Sequence, residues 1–252
     1  MRFRRFIRQA HRWLGLLIGI QLLLWVTGGV VMSALRLEEV RGEHRAAKAT
    51  AVSLDSAVSA VPIADILQRY ADRHPTSVTL TRVMGQPVYR LDGSAGGVLV
   101  DATSGGLLSP LPQSAAEAIA RADYQGDGAF AGTDWVETPA LEYRGRDLPL
   151  WRVRFNDRIH TTVYVSPATG AIAARRNDLW RVFDFVWMLH IMDYQGREDF
   201  NHPLLVTAAA TALLFVFTGL VMLIYSFRPV GRPGAEHGSG AESGERSADD
   251  PS

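Results

Sequence analysis

The sequence predicts an α+β membrane protein in which two transmembrane helices flank a periplasmic domain of two small units, each a helix plus a three-stranded antiparallel sheet. Three observations lead to this class. Two long apolar segments lie near the ends of the 252-residue chain. Arginines flank both segments on the sides nearest the termini. Between the segments, one order of helical and strand-like stretches occurs twice.

The first apolar segment follows a basic N-terminus, residues 1–12, which reads MRFRRFIRQAHR. Residues 13–35 are long enough, at a helical rise of ~1.5 Å per residue, to cross a hydrocarbon core of about 30 Å. A cleaved secretory signal is the alternative. Its apolar core is usually only ~7–15 residues long, and no small-x-small site follows here because Met32 stands two residues before Ala34. We therefore predict a retained transmembrane helix.

The second apolar segment, residues 202–227, contains PLLVTAAATALLFVFTGLVMLIYSF and predicts another transmembrane helix. Residues 228–252 are rich in glycine, serine and charge, which predicts a disordered cytoplasmic tail. The positive-inside rule then places both termini in the cytoplasm and the central domain in the periplasm, at the inner membrane of a bacterium. The flanking arginines are Arg2, Arg4, Arg5, Arg8, Arg12, Arg228 and Arg232.

The central region begins with residues 36–60, which are charged, then small and polar, and predict a stalk. Residues 61–112 contain a helical stretch and three strand-like runs, VTLTRVM, PVYRL and GVLV. Residues 113–177 repeat this order with the helical SAAEAIARADY, where Ser114 and Glu117 predict a capping box, and with PLWRVRF, HTTVYV and AIAARR. An internal duplication is the simplest account of the repeat.

The last element before the second membrane segment is predicted at residues 178–196. Trp180, Phe183, Trp187 and His190 recur there at steps of three and four residues. That spacing is typical of an amphipathic helix lying at a membrane surface.

The two repeats share an aromatic-bearing strand, a second strand ending in Asp/Ser-x-x-Ser/Thr-Gly, and a third strand of small and apolar residues. This pattern resembles the PepSY module. The flanking HRWLGLLIGIQLLLWVTGG and LLFVFTGLVML resemble the PepSY-associated transmembrane family, so that the resemblance covers roughly residues 5–228. It implies an inner-membrane protein with two periplasmic α+β units.

The resemblance implies two kinds of activity. Larger members look like siderophore-iron reductases that hold b-type haem between helices, whereas soluble PepSY modules are associated with inhibiting or chaperoning peptidases. Those larger members have more membrane helices than the two predicted here. A homodimer or another membrane partner would therefore complete the helix bundle.

A b-type haem needs a neutral axial imidazole and small residues that let the macrocycle approach a helix. His11 meets this requirement, since Gly15 lies one turn later on the same face. Two structural interpretations stay open. Gly15-x-x-x-Gly19 is equally a helix-packing motif, and His11 close to Trp13 is equally an interfacial anchor.

Two further histidines are candidates for haem iron on the periplasmic side. His190 lies on an apolar helix face, where an unpaired imidazole is costly, so it needs a hydrogen-bond partner or a ligand. His202 follows Asn201, a predicted N-cap, and precedes Pro203, where the helix dipole favours a neutral ring. Asn-His-Pro is equally a cap without a ligand. His11 belongs to the other membrane face, and weaker candidates are His44, His74, His160 and His237.

Composition removes several other classes of function. A net charge of zero gives no electrostatic case for nucleic acid, and the absence of cysteine excludes disulfides, c-type haem attachment and iron–sulfur clusters. For this chain in the lipid bilayer, the resemblance implies two hypotheses. One is a haem b-binding component for electron transfer or ferric reduction in iron uptake. The other is a non-enzymatic periplasmic module that binds, inhibits or chaperones a protein partner.

Overall fold

The computed structural model describes residues 2–48, 60–94 and 96–227. Part of the predicted stalk, residues 49–59, and the predicted tail, residues 228–252, lie outside the described residues. Within the described ranges the chain is a mixture of helices and antiparallel sheets, which confirms the predicted α+β class.

The chain divides into two compact units. Met1–Gly19 and Ala209–Ser252 form the first, here called the helix-end unit. Ile20–Ala208 form the second, here called the main unit, which contains every strand of the described residues.

Two helices of the described residues, α1 (Arg2–Ala34) and α6 (Pro203–Ser226), are long and apolar enough to cross a membrane. The basic N-terminus is already part of α1, because arginine is a good helix former and no residue before the apolar run interrupts the helix. Leu17 and Ile20 are 76% and 77% exposed. Large apolar side chains this exposed indicate an apolar environment around the helix.

The residues that follow α1 do not form a free stalk. They form α2 (Leu37–Val40) and a 3₁₀ helix (Glu43–Arg45), and Val40 is only 2% exposed. Arg45 Nη1 lies 2.5 Å from a carboxylate oxygen of Asp157, 112 positions along the chain. The first part of the predicted stalk therefore belongs to the folded domain, held by a long-range ion pair that no local pattern reveals.

The first sheet has the predicted helix and three strands. Ile66 of the helix is fully buried in a core that includes Tyr89 and Val100 of the sheet. The strands are antiparallel in the order β1-β2-β3. The elements are α3 (Ile63–Arg69), β1 (Pro75–Val83), β2 (Gln86–Gly93) and β3 (Val98–Asp101).

The second sheet has four antiparallel strands, one more than predicted. The additional strand is the first, where the pairing register shifts between Phe130 and Gly132, and this irregularity breaks the alternation that would have predicted it. Ala116 of the covering helix packs on Val153 and Val163 of the sheet. The elements are α4 (Gln113–Asp123), β4 (Ala129–Val136), β5 (Leu150–Asn156), β6 (Thr162–Val165) and β7 (Ile172–Arg176).

The predicted capping box of α4 is wrong. The helix begins at Gln113, so Ser114 lies inside it, and the N-cap residue Pro112 makes no side-chain cap. Glu117 instead accepts a hydrogen bond of 2.8 Å from the Gln113 side chain, one turn earlier. The fixed φ of Pro112 is compatible with the extended backbone of an N-cap position, but its side chain cannot accept a hydrogen bond.

The amphipathic stretch forms α5 (Asp178–Ile191), which ends five residues before the predicted limit because Met192 adopts φ 59°. Asn177 begins the helix, since its Oδ1 accepts a hydrogen bond of 2.8 Å from the Trp180 N–H. Its Nδ2 donates to the Glu39 carbonyl at 2.8 Å. One fully buried amide thus caps α5 and holds the segment that follows α1.

Candidate functional site

His190 lies near the end of α5, where this helix crosses α1 in the main unit. Gly28 of α1 allows the close approach, because a Cβ there would lie 3.1 Å from Cγ1 of Val186, one turn before His190. Gln21 of α1 donates a hydrogen bond of 3.1 Å to the Leu189 carbonyl. These two contacts hold the part of α5 next to His190 against α1.

Two polar atoms in this crossing are buried and have no hydrogen-bond partner among the described residues. They are Nδ1 of His190 and Nε1 of Trp25, whose rings are 6.2 Å apart between centroids. Most buried polar side-chain atoms in proteins are paired, and an unpaired one costs about 1–3 kcal/mol. Within the described residues, the hydrogen-bonding capacity of one ring nitrogen and one indole N–H in this crossing is therefore unused.

His202 differs from His190, because both of its ring nitrogens have partners. Its Nε2 lies 2.9 Å from the carbonyl oxygen of Ile191, which can only accept, so Nε2 carries the proton. Its Nδ1 accepts from the Leu205 N–H at 3.4 Å. His202 is thus a neutral N-cap of α6, a role predicted for Asn201.

His190 and His202 are linked through the backbone, and the pocket beside His202 is not lined by His190. His202 bonds the carbonyl of Ile191, the residue after His190. The open pocket of about 240 Å³ beside His202 is lined by Met192, Asp193, Tyr194, Gln195, Asp199 and His202. A ligand in this pocket would meet His202 at the cost of its cap.

His11 is a residue of α1 that faces α6 in the helix-end unit. Its Nδ1 is 2.9 Å from Oγ1 of Thr218 and 3.2 Å from the Phe215 carbonyl. Thr218 itself donates to the same carbonyl at 2.8 Å, so Nδ1 carries the proton and donates to both oxygens. A histidine oriented through Nδ1–H in this way has Nε2 as its only nitrogen for a metal.

The glycines around His11 serve close packing. The His11 ring stacks on Phe215 with centroids 4.2 Å apart. A Cβ at Gly15 would lie 2.9 Å from the Phe215 ring, and one at Gly219 would lie 3.2 Å from the His11 ring. A Cβ at Gly19 would meet nothing within 4 Å among the described residues, so within them only the first glycine of Gly15-x-x-x-Gly19 is a packing position.

Charged side chains fasten α5 to the main unit on its polar side. Asp184, 4% exposed, lies 2.8 Å from Nη1 of Arg144 and also contacts Arg197. Glu142 accepts hydrogen bonds from Arg181 of α5 and from Tyr164 of β6, at 2.8 Å and 2.5 Å. Burial alone would raise the pKa of Glu142, but these two hydrogen bonds outweigh it and the net shift is downward.

The turn between α5 and α6 is organised by the carboxylate of Asp193. This carboxylate accepts hydrogen bonds from the N–H groups of Gln195, Gly196, Glu198 and Asp199, at 3.0–3.2 Å. The bonds from Glu198 and Asp199 contribute most to lowering the pKa of Asp193 far below its usual value. The loop that carries His202 is therefore fixed by one ionised side chain.

Several residues of these sites were not predicted from the sequence. Gln21 and Trp25 carried a signal, because an amide and an indole in the middle of an apolar segment need partners. Thr218 and Asp184 carried a similar one, as polar residues within otherwise apolar helices. No such signal exists for Gly28, since a glycine in a membrane helix is common.

The other described histidines are peripheral to these sites. His160 Nδ1 lies 2.6 Å from the Asp178 carboxylate and its side chain is 70% exposed. His44 Nδ1 is 3.4 Å from the Glu38 carbonyl. His74 ends a 3₁₀ helix with φ 46°. His237 lies outside the described residues.

The described residues contain no group of three or more His, Cys, Asp or Glu side chains arranged to hold a metal ion. A haem site needs only one or two such ligands, so this finding does not address it. Among known families, the model of the PepSY-associated TM region matches residues 8–239. Neither the curated proteins nor the solved structures include a significant match to the chain.

Proposed function

The chain belongs to the PepSY-associated TM family, and from this premise we propose that it is a membrane protein that binds b-type haem through His190 and transfers electrons. One observation carries the proposal. His190 has a buried ring nitrogen without a partner, beside the equally unpartnered N–H of Trp25. A purely structural histidine is expected to be satisfied, as His202 is.

The residues present fit such a group. Haem iron, when bound, supplies a one-electron redox couple. The chain would contribute the imidazole of His190 and an indole N–H from Trp25 that can donate to an acceptor on the cofactor. Gln21, which donates a hydrogen bond to the Leu189 carbonyl, would hold the backbone next to His190.

If haem iron takes a second ligand, that ligand would come from another molecule. His202 would have to give up its bonds to Ile191 and Leu205 to become that ligand. We therefore propose that a second copy of the chain or a membrane partner supplies it. His11 is the candidate for a separate site, through Nε2, because its Nδ1 is already committed to Phe215 and Thr218.

The proposal includes an orientation in the bacterial inner membrane. Five arginines lie within the first twelve residues, Arg2, Arg4, Arg5, Arg8 and Arg12. On the positive-inside rule we place both termini in the cytoplasm and the sheets in the periplasm. The His190 site would then serve the periplasmic side, where ferric complexes taken up by the cell are a suitable class of acceptor.

Reduced-minus-oxidised spectra test the proposal. The wild-type chain, expressed with a supply of haem and purified, is expected to show a Soret and an α-band, which His190→Ala abolishes. His202→Ala is the matched control, because His202 lies at the end of the loop between α5 and α6. This variant is expected to retain the bands. His190→Met, which keeps a weaker ligand, is expected to shift the spectrum. A wild-type protein without haem bands removes the proposal.

Partner binding is the second candidate, and the exposed edge of the four-stranded sheet favours it. Among the residues that the structure describes, β4 pairs only with β5, and Trp135 on β4 is 39% exposed. Unpaired strand edges are common sites for strand addition by a peptide. Trp151, which packs edge-on against Trp135 with ring centroids 4.6 Å apart, has a structural role, since its Nε1 donates to the Leu111 carbonyl.

Crosslinking in cells separates the two candidates. If the sheet edge binds a periplasmic protein, Trp135→Ala reduces the crosslinked product and His190→Ala leaves it unchanged. Tyr194, which is 51% exposed and lies outside both sheets, provides the matched control as Tyr194→Ala. The absence of any crosslinked protein in the wild type contradicts the partner hypothesis.

A further inference from the structure

An open groove of about 180 Å³ lies in the helix-end unit, between the start of α1 and the end of α6. It has a basic side formed by Arg4 and Arg8, four residues apart on one helix face. Its other side is formed by Met222, Tyr225 and Ser226, with Ile7 at the base. The groove thus combines two guanidinium groups with hydroxyl groups and an apolar floor.

The two arginines have no carboxylate partner among the described residues. The sequence from residue 1 to residue 35 contains no Asp or Glu, and none occurs in α6. Salt bridges within the described ranges involve neither Arg4 nor Arg8. The Arg4 guanidinium lies 4.9 Å from the centroid of the Tyr225 ring, so its position is defined by a cation–π contact.

The surroundings of the groove are apolar and exposed. Phe3 and Phe6 are 57% and 67% exposed, and Phe3 lies edge-on to Tyr225 with ring centroids 6.2 Å apart. Aromatic side chains at the end of a membrane helix occupy the depth of the lipid headgroups. A molecule with an anionic head and apolar tails would match the charge of the groove and the character of its rim.

We propose that this groove binds the phosphate of an anionic phospholipid, with Arg4 and Arg8 as the phosphate ligands and the phenylalanines beside its acyl chains. Basic pockets between membrane helices are suited to such headgroups, and paired guanidinium groups match phosphate oxygens in geometry and charge. Free phosphate would satisfy the arginines but leave the apolar rim without a partner. The commitment is therefore to a lipid.

The test is a titration of the purified full chain in dodecyl maltoside micelles with phosphatidylglycerol, followed by native mass spectrometry of the bound lipid. Arg4→Gln/Arg8→Gln removes the groove charges. Arg2→Gln/Arg5→Gln removes the same charge from the same helix without touching the groove lining. We expect affinity on the order of tenfold weaker for the first variant than for the second.

An equal loss of lipid affinity in both double variants overturns the proposal, because it indicates a diffuse positive field. No loss of affinity in either variant overturns it too, and so does equal binding of phosphatidylcholine. Displacement of the lipid by inorganic phosphate at equal concentration overturns it as well, because the acyl chains would then contribute nothing. Arg4→Lys/Arg8→Lys guards against misfolding, since it keeps the charge and is expected to retain part of the affinity.

Discussion

Asp157 and His190 both lie in the main unit, but they differ in how many hydrogen-bond partners their buried polar atoms have. Asp157 accepts hydrogen bonds from Arg45, Tyr124 and both donors of Thr161, at 2.5–2.9 Å. His190 and its neighbour Trp25 each keep a buried nitrogen without a partner. The same chain therefore satisfies one buried group four times and leaves another unsatisfied.

The difference shows what each site contributes. A fully bonded carboxylate stabilises the fold, and nothing further is needed to explain it. An unpartnered imidazole and indole in an apolar crossing lower stability, and this is the observation on which the proposed haem site rests. Four experiments test this difference, and they are given in order of decreasing expected effect.

The largest effect is expected at Asp157. Asp157→Ala leaves the partly buried Arg45 without its closest carboxylate and removes the anchor of residues 36–48, which should cost about 3 kcal/mol of unfolding free energy. Chemical denaturation in detergent, followed by circular dichroism, measures it. Asp127→Ala is the control, because Asp127 also approaches Arg45, at 3.7 Å, but its side chain is 82% exposed. Equal losses in the two variants would show that the buried site has no special weight.

Smaller changes in unfolding free energy, of opposite sign, are expected for His190 and His202. In haem-free protein, His190→Leu removes an unsatisfied buried nitrogen and should raise the unfolding free energy by about 1 kcal/mol. His202→Leu removes an N-cap and a hydrogen bond to Ile191, and should lower it by about 1–2 kcal/mol. Thermal unfolding of both variants decides. A loss in His190→Leu as large as in His202→Leu would mean that His190 has a structural partner.

The two glycines of α1 provide a finer test of packing around His11. Gly15→Ala pushes against the Phe215 ring at 2.9 Å and should lower stability by up to about 1 kcal/mol. Gly19→Ala meets nothing within 4 Å and should be neutral or slightly stabilising through helix propensity. Thermal unfolding compares the variants. If Gly19→Ala is the more harmful, this face of α1 packs against another molecule.

The smallest effect concerns the loop that carries His202. Because the pKa of Asp193 is lowered in the folded chain, its contribution is fully present above the unfolded value near ~3.9 and is lost only as pH falls through the folded pKa. Amides of Glu198 and Asp199 should therefore stay protected from hydrogen exchange at about pH 3.5. Asp193→Asn should remove this protection at neutral pH. Loss of protection already near pH 5 in the wild type would contradict the assignment.

Local patterns predicted the elements well and their contacts poorly. α5 and strands β2 and β3 follow from periodicity, since each has a regular apolar repeat. β4 was not predicted because its register shifts between Phe130 and Gly132. The docking of residues 36–48 was not predicted because Arg45 and Asp157 lie 112 positions apart. Sequence spacing carries no information about such pairs.

The candidate site shows the same limit at the level of single side chains. The requirement that His190 have a partner or a ligand followed from its apolar helix face. The structure adds that the described residues supply no partner to its Nδ1. For His202, a cap and a ligand were equally compatible with Asn-His-Pro. The choice depends on the Ile191 carbonyl, whose position is set by the turn between α5 and α6.

Asn177 connects two segments of the chain that are far apart in sequence. Its single amide caps α5 through Trp180 and holds the Glu39 carbonyl just beyond α1, and it is 1% exposed. A single side chain therefore joins the segment that follows α1 to the first turn of α5, the helix that carries His190, and its removal would release both contacts at once.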